Sequence, residues 1–475
     1  MSSEAVVSII EITLISYFAV LNLSYALFGF LGVHHAVVIY ARGLSRVALK
    51  DLLERDAFRP VSILVPAFNE EGSIVASVGS FLSLHYPQFE VIVVSDGSTD
   101  RTLERLTEAY ALVEDTTLRR RVLETKPLRA ALRSLRYPNL VVIDKENGGK
   151  ADALNAALNV AGYPLVAAVD ADSLLDSEAV LRATRLFAED ETLIAVGGTV
   201  RSLNGAVIEN GRIAELRMPR SWLERFQVIE YARAFFAGRG GWSRVNALLI
   251  ISGAFGLFKR EAVLEVGGYT SGTITEDMEL IVRLHKHHRR AKKPYRIRYI
   301  PDPICWTETP SDLATLRRQR NRWHRGLIET MWLHKDMFLN PRYGRLGMVA
   351  MPYFVLFEAL SPVIEVFGYV AVVVGLLTGT ISTEMLILFM LLAIVFGTVL
   401  SQVSMGIEAF LLARYPHSKD RLILLAAALL ESFGYRQIFL YERFVATFQV
   451  FRKKGEWGVM TRRGISDAPM PSSRR

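Results

Sequence analysis

Hydrophobic and polar positions follow two different rhythms along this chain. From Ser8 to Tyr40 the only charged residue is Glu11, and between Arg345 and Arg414 there is no Lys or Arg. A helix rises ~1.5 Å per residue and a bilayer core is ~30 Å thick, so the first run is long enough for one crossing and the second for two. Thr378 to Glu384 supplies a turn inside the second run, with Pro352 and Pro362 kinking the helix before it or splitting off an interfacial piece. Leu422 to Leu430 covers about half a bilayer before Glu431, Arg436, Glu442 and Arg443 interrupt it, so residues 422–450 fit an interfacial or re-entrant pair better than a crossing. Arg42, Arg46 and Lys50 follow the first run, and Arg414, His417, Lys419 and Arg421 follow the second. Positive charge at both places predicts a cytoplasmic side there.

Between about Asp51 and Phe338 the rhythm changes to short β-branched runs alternating with helical periodicity. Val61–Phe68, Glu90–Ser95, Leu140–Asp144, Val166–Val169 and Leu193–Val196 read as strands, and 72–84 and 101–113 as helices between them. This alternation predicts an α/β domain with a mostly parallel sheet. Its ligands belong beyond the carboxyl ends of the strands.

Composition sharpens this picture in three places. At 51% hydrophobic and 22% charged, with mean hydropathy +0.24, the chain is too apolar for an ordinary soluble enzyme. A net charge of +8 suits an anionic membrane face or substrate and is no nucleic-acid signature by itself. The one cysteine, Cys305, excludes a disulfide framework. Among the remaining charge runs, Arg119 to Arg136 reads as an exposed helical insertion, and His285, His287 and His288 as a solvated helix face without the partners of a metal site. The tail from Ser466 reads as disordered.

Polar residues cluster where an α/β sheet would put its ligands. Asn69-Glu70-Glu71 follows the first strand, Asp96-Gly-Ser-Thr-Asp100 the second, and Asp170-Ala-Asp172 the strand ending near Val169. No glycine-rich phosphate loop follows any strand, so phosphate must be handled otherwise. Two carboxylates at a strand end can hold a hard divalent cation that neutralises a diphosphate. Lys150, opening a helix in Asn147-Gly-Gly-Lys-Ala-Asp-Ala-Leu-Asn155, adds a point charge and a helix amino terminus for the same anion.

Together with Pro66-Ala-Phe-Asn-Glu70, Thr275-Glu-Asp277 and Gln319-Arg-Asn-Arg-Trp323, these strings resemble the processive membrane members of glycosyltransferase family 2, which include poly-N-acetylglucosamine, hyaluronan, chitin and cellulose synthases. The layout is most similar to the poly-N-acetylglucosamine type. The resemblance implies a GT-A-type cytoplasmic domain joined to transmembrane and interfacial helices. Its boundaries are a transmembrane helix in 1–50, the catalytic domain in 51–310, amphipathic helices in 311–345, two transmembrane helices in 346–415, interfacial or re-entrant helices in 416–455, and a gating loop and tail in 456–475. It implies a multi-pass protein of the plasma (inner) membrane with the catalytic domain in the cytoplasm.

The same resemblance distributes the roles. Ala67, Asn69, Glu70 and Asp96 hold the uridine of a UDP-sugar, Asp170 and Asp172 the ribose and a Mg²⁺ or Mn²⁺ ion, and Lys150, Gln319 and Arg322 the diphosphate. Asp277, beside Glu276, is the general base, because a sugar hydroxyl needs a carboxylate to take its proton. A single base without a carboxylate nucleophile implies inversion. Trp323, Gly253, Ala254 and Glu308 face the acceptor, and Trp457, Thr461 and Arg462 resemble a gating loop. The implied activity extends a β-linked polysaccharide, with UDP-N-acetylglucosamine the expected donor and UDP-glucose the runner-up, and passes the product across the bilayer. The alternatives are a non-processive glycolipid synthase and an inactive nucleotide-binding scaffold.

Overall fold

The computed structural model describes residues 3–41, 58–116, 122–209, 212–406 and 417–450. They divide into two compact units. The α/β unit takes in residues 36–216 and 243–309, and the helical unit 1–35, 217–242 and 310–458, so far as these are described. Segment 217–242 therefore belongs with the helices although it interrupts the α/β stretch of sequence. The expected gating-loop residues Trp457, Thr461 and Arg462 lie outside the described residues.

In chain order the strands of the α/β unit are β1 (Val61–Ala67), β2 (Phe89–Asp96), β3 (Leu112–Glu114), β4 (Leu128–Ser134), β5 (Leu140–Lys145), β6 (Leu165–Val169), β7 (Ser173–Leu175), β8 (Leu193–Ser202), β9 (Val207–Glu209), β10 (Arg212–Glu215), β11 (Phe255–Lys259) and β12 (Arg296–Thr307). β9 and β10 pair only with each other, and the other ten form one sheet in the order β3-β4-β5-β2-β1-β6-β11-β8-β12-β7. The expectation of a mostly parallel sheet is corrected here. The block β5-β2-β1-β6 and the pair β8-β12 are parallel, but β11 runs antiparallel between β6 and β8, and β3, β4 and β7 are antiparallel at the edges. The reversal of β11 matters for the site. Phe255, its first residue, pairs with Val169, the last of β6, so the turn entering β11 reaches the same sheet edge as the strand ends of β1, β2 and β6.

The central strands Val61–Val65, Val91–Val94, Leu140–Ile143 and Leu165–Val169 are almost wholly buried, as strands covered on both faces must be. Helix Lys150–Val160 packs on β1 and β2, and helix Ala179–Glu189 on β8 and β12. The latter turns Val180, Ala183, Thr184 and Phe187 inward at helical spacing.

Two charge runs differ from expectation. Within the basic stretch 119–136, residues 128–134 form β4 and not a helix, paired to β5 and β3, while 117–121 lie outside the described residues. Arg129 and Arg133 of β4 keep partly exposed side chains near the sheet edge, Arg133 pairing with Asp115 at 2.9 Å, and such charge discourages further strand pairing. Among the histidines, His285 and His288 are buried and not solvated. His285 Nδ1 meets the Tyr295 hydroxyl at 2.8 Å and Nε2 the Leu248 carbonyl at 2.9 Å. Two satisfied ring nitrogens let a polar ring sit in the core.

In the helical unit, Ser3–Ala41 is one helix, and Ser8–His34 and Ser361–Thr378 are the two helices among the described residues that are long and apolar enough to cross a membrane. Their outward faces carry Leu23, Phe30, Phe367, Val373 and Leu377, which are exposed in a way that lipid would cover. Leu346–Ala359 is a separate short apolar helix, and Pro362 stands in the first turn of the next. The second crossing expected in 346–415 is helical over Thr383–Gly406 but broken in register by a π-helical segment at Leu391–Val395. Ser418–Leu430 and Tyr435–Gln449 meet at a 52° bend. The core of this unit gathers Phe18, Leu21 and Phe389 in one cluster and Leu316, Tyr435 and Phe439 in another. Arg233 grips Glu431 in a two-pronged pair at 2.8 and 2.9 Å.

Candidate active site

The site is assembled at the carboxyl edge of the parallel block. β1 ends at Ala67, which is buried, and Asn69 follows in the left-handed region at φ 55°. Its side-chain oxygen accepts from the backbone N–H of Thr99 at 2.8 Å, and the Glu70 N–H donates to the Thr102 hydroxyl at 2.8 Å. These bonds tie the loop after β1 to the loop after β2. An asparagine tolerates the left-handed conformation because its short amide bonds locally.

β2 ends on Asp96, a residue only 2% exposed. Its carboxylate is the hub of the turn. It accepts from Lys145 Nζ at 2.5 Å, from the Gly148 N–H at 3.0 Å and from the Gly149 N–H at 2.7 Å. Gly97 takes φ 70°, and a Cβ there would stand 2.7 Å from the Asn147 nitrogen, so only glycine allows the two loops to approach this closely. Helix Lys150–Val160 begins directly beyond these contacts. Its Asn155 donates to the Tyr269 carbonyl and accepts from the Tyr269 N–H, both at 2.8 Å, which locks the chain leading to Asp277 onto the same helix.

Lys150 Nζ lies 2.7 Å from Asp170 Oδ1 and 3.0 Å from Glu276 Oε1. Burial works against its ammonium, but Asp170, Glu276 and Asp277 outweigh burial and hold it charged well above the ordinary lysine range. Asp170 follows β6, and Asp172 is buried two residues on. Burial raises the Asp170 carboxyl above its ordinary value, opposed by Lys150.

Asp277 is the second residue of helix Glu276–Arg290. The Gly253 N–H donates to its Oδ2 and the Met278 N–H to its Oδ1, each at 2.8 Å. Burial, and then the neighbouring Glu276, push its carboxyl upward in spite of Lys150. Gly253 sits in the turn that enters β11, and a Cβ on it would stand 2.6 Å from Lys150 Nζ and 3.3 Å from Asp277 Oδ2. These groups head a cavity floored by Leu154, Ile251, Phe258 and Tyr269.

The α/β unit thus brings together Asp96, Lys150, Asp170, Asp172, Gly253, Ala254, Glu276 and Asp277 around one sheet edge, with Asn69 and Glu70 in the adjoining loops, while Glu308 follows the end of β12. Gln319, Arg322 and Trp323 are carried by helix Leu313–Leu333 of the other unit. There the Gln319 side-chain oxygen accepts from Arg320 at 2.5 Å, Arg320 pairs with Glu230 at 2.6 Å and its guanidinium lies 4.2 Å from the Trp323 ring centre. Sequence reasoning missed Lys145 and Asp152. A lysine ending a strand that opens with four apolar residues, level with the aspartate ending its neighbour, was the available signal.

The acidic residues fit a hard divalent cation bound jointly with substrate. Among the described residues no group of three or more His, Cys, Asp or Glu could hold a metal alone. Asp170 and Asp172 supply oxygen donors, and Mg²⁺ or Mn²⁺ commonly completes its shell with phosphate and water.

A family model described as "Glycosyltransferase like family 2" matches residues 59–326, more than half the chain and all of these motifs. The chain belongs to glycosyltransferase family 2. It is a transferase. Poly-beta-1,6-N-acetyl-D-glucosamine synthases from Staphylococcus aureus strain MSSA476 and Staphylococcus epidermidis are each 30% identical to it, over 313 and 314 residues. The matches cover 66% of this chain and 64% of those proteins, so it spans just under two thirds of the length of these relatives. Among solved structures, a mannosyltransferase from Pyrobaculum calidifontis in complex with GDP-Man and Mn²⁺ superposes with TM-score 0.48 at 19% identity, covering 89% of this chain and 99% of that one. Residues 1–349 of S. aureus TarS in complex with UDP-GlcNAc give TM-score 0.38 at 15% identity, covering 83% and 92%.

Proposed function

We propose that this family 2 glycosyltransferase is an inverting synthase that moves N-acetylglucosamine from UDP-N-acetylglucosamine to the end of a growing β-linked polysaccharide and passes the product across the membrane that holds it. The observation that carries the proposal is the presentation of Asp277. Backbone N–H groups hold both its oxygens at 2.8 Å, next to the Asp170–Lys150–Glu276 chain of charge. The name shared by its 30% identical relatives supports the choice of sugar.

In this reading Asp277 takes the proton of the acceptor hydroxyl as that oxygen attacks the anomeric carbon. Each carboxylate oxygen keeps a lone pair for the purpose, and the two N–H donors hold the group in one orientation. Glu276 is paired with Lys150, so Asp277 alone is assigned to the acceptor hydroxyl and the displacement is direct, with inversion. Lys150 Nζ stands ready for the diphosphate. Asp170 and Asp172 would hold Mg²⁺ or Mn²⁺, which when bound offsets the charge growing on the leaving UDP. Asn69, Glu70 and Asp96 shape the uridine side, and Ala254 and Glu308 meet the acceptor. The apolar helices hold the protein in the inner membrane, with the α/β unit cytoplasmic and more than one crossing.

The test is synthesis by the purified protein in lipid nanodiscs, with radiolabelled UDP-N-acetylglucosamine or UDP-glucose and Mn²⁺. Long, glycosidase-sensitive polymer from the acetylated donor is expected. Label recovered only in lipid extracts, only as single-sugar products, or only from UDP-glucose would overturn the reading.

A further inference from the structure

Lys145 has no place in the mechanism above, yet its side chain is wholly buried. Taking an ammonium ion out of water costs several kcal/mol unless partners replace the lost hydration. Three partners do so. Lys145 Nζ lies 2.5 Å from Asp96 Oδ1, 2.5 Å from Asp152 Oδ1 and 2.6 Å from the Glu146 carbonyl. These use all three ammonium protons.

The position is set by the fold. Asp96 and Lys145 are the last residues of adjacent parallel strands and stand in register. Asp152 comes from the first turn of helix Lys150–Val160, where a negative charge is favoured. The cation therefore joins two strand ends to a helix start, and both carboxylates it holds also brace loops. Asp96 accepts from the Gly148 and Gly149 N–H groups, and Asp152 accepts from the Lys126 N–H at 3.2 Å. The loop between is short and glycine-rich, and it ends at Lys150.

We propose that Lys145 is a positioning residue: by neutralising Asp96 and Asp152 together it fixes the Asn147–Gly149 loop and so places Lys150 between Asp170 and Glu276 for the donor diphosphate. Without the cation, two buried carboxylates face each other across the space it filled. Like charges so close repel, so one carboxylate turns away and Asp96 releases the glycine N–H groups. The lysine acts through Asp96 and the loop and does not itself touch the nucleotide. This inference rests on the reading that the site binds a nucleoside diphosphate sugar.

The experiment measures UDP binding by titration calorimetry in Mn²⁺ for wild type, Lys145→Met and the Lys145→Met/Asp152→Asn double variant, with thermal unfolding followed in parallel. The first substitution is expected to weaken UDP binding at least tenfold and to raise donor KM more than it lowers kcat. The double variant returns the cluster to its wild-type net charge, with Asp96 still able to accept from the Gly148 and Gly149 N–H groups, and is expected to return to within about threefold of wild type, a recovery a simple packing defect would not show. Lys145→Met binding UDP within twofold of wild type would overturn the proposal. So would a double variant that folds and still binds UDP at least tenfold more weakly than wild type, an outcome that can be read even where the single variant does not fold. Failure of wild type itself to bind UDP would instead remove the functional reading beneath it.

Discussion

Substituting Gly253 by alanine tests the geometry of the site at its tightest point. Gly253 does not occupy the left-handed region, so alanine imposes no backbone strain, and its N–H still reaches Asp277. The new methyl would stand 2.6 Å from Lys150 Nζ, and 3.3 Å and 3.7 Å from Asp277 Oδ2 and Glu276 Oε1. Restoring ordinary contact requires the ammonium to retreat by about 1 Å, which at an effective dielectric of about 20 weakens an ion pair that starts near 3 Å by about 1.5 kcal/mol. If one of the two pairs absorbs the shift, transition-state stabilisation falls by that amount, roughly tenfold in kcat/KM. UDP release followed across donor concentrations would measure it, with thermal unfolding as the check on folding. A Gly253→Ala enzyme with kcat/KM within twofold of wild type would refute the claim that Lys150 must hold this position.

Other expectations follow from the same contacts. Asp277→Asn keeps the volume but removes the base, so kcat should fall by about 10²–10⁴ while UDP binding persists; turnover near wild type would remove the assignment. Because burial and Glu276 raise the Asp277 carboxyl, and the base works only when ionised, kcat should decline on acidification from a midpoint above the ordinary aspartate value of about 3.9. A kcat–pH profile that stays flat down to that value would contradict this. His285 is buried as the neutral ring with its pKa lowered from 6.5 to about 4 by burial. The unfolded chain takes up the proton first, so stability present above pH 6.5 should be lost as pH falls toward 4, by up to about 3 kcal/mol. Unfolding of wild type and His285→Gln across that range should show a steeper pH dependence for wild type. Chelation of divalent metal should abolish transfer and added Mn²⁺ or Mg²⁺ restore it, with Asp172→Ala needing more metal for half-maximal rate.

Much of this architecture was legible in the order of residues. Buried strand segments such as Leu140–Ile143 and Leu165–Val169 carry uninterrupted apolar runs, and the residues just past them had to be polar, so Asp96, Asp170 and Lys150 could be placed at one sheet edge before any fold was known. The long apolar helices were equally plain, since lipid demands unbroken stretches without charge. The direction of β11 was not legible, because a short apolar strand reads the same either way, and strand pairing alone sets Phe255 against Val169 and brings Gly253 to Asp277. Nor was the burial of His285, whose neighbours Leu248 and Tyr295 come from other elements. Lys145 makes the same point most sharply. A lysine in a polar motif reads as solvated until two aspartates, one from the adjoining strand and one from the following helix, close around it, and that closure depends on register and packing rather than on anything local to the residue.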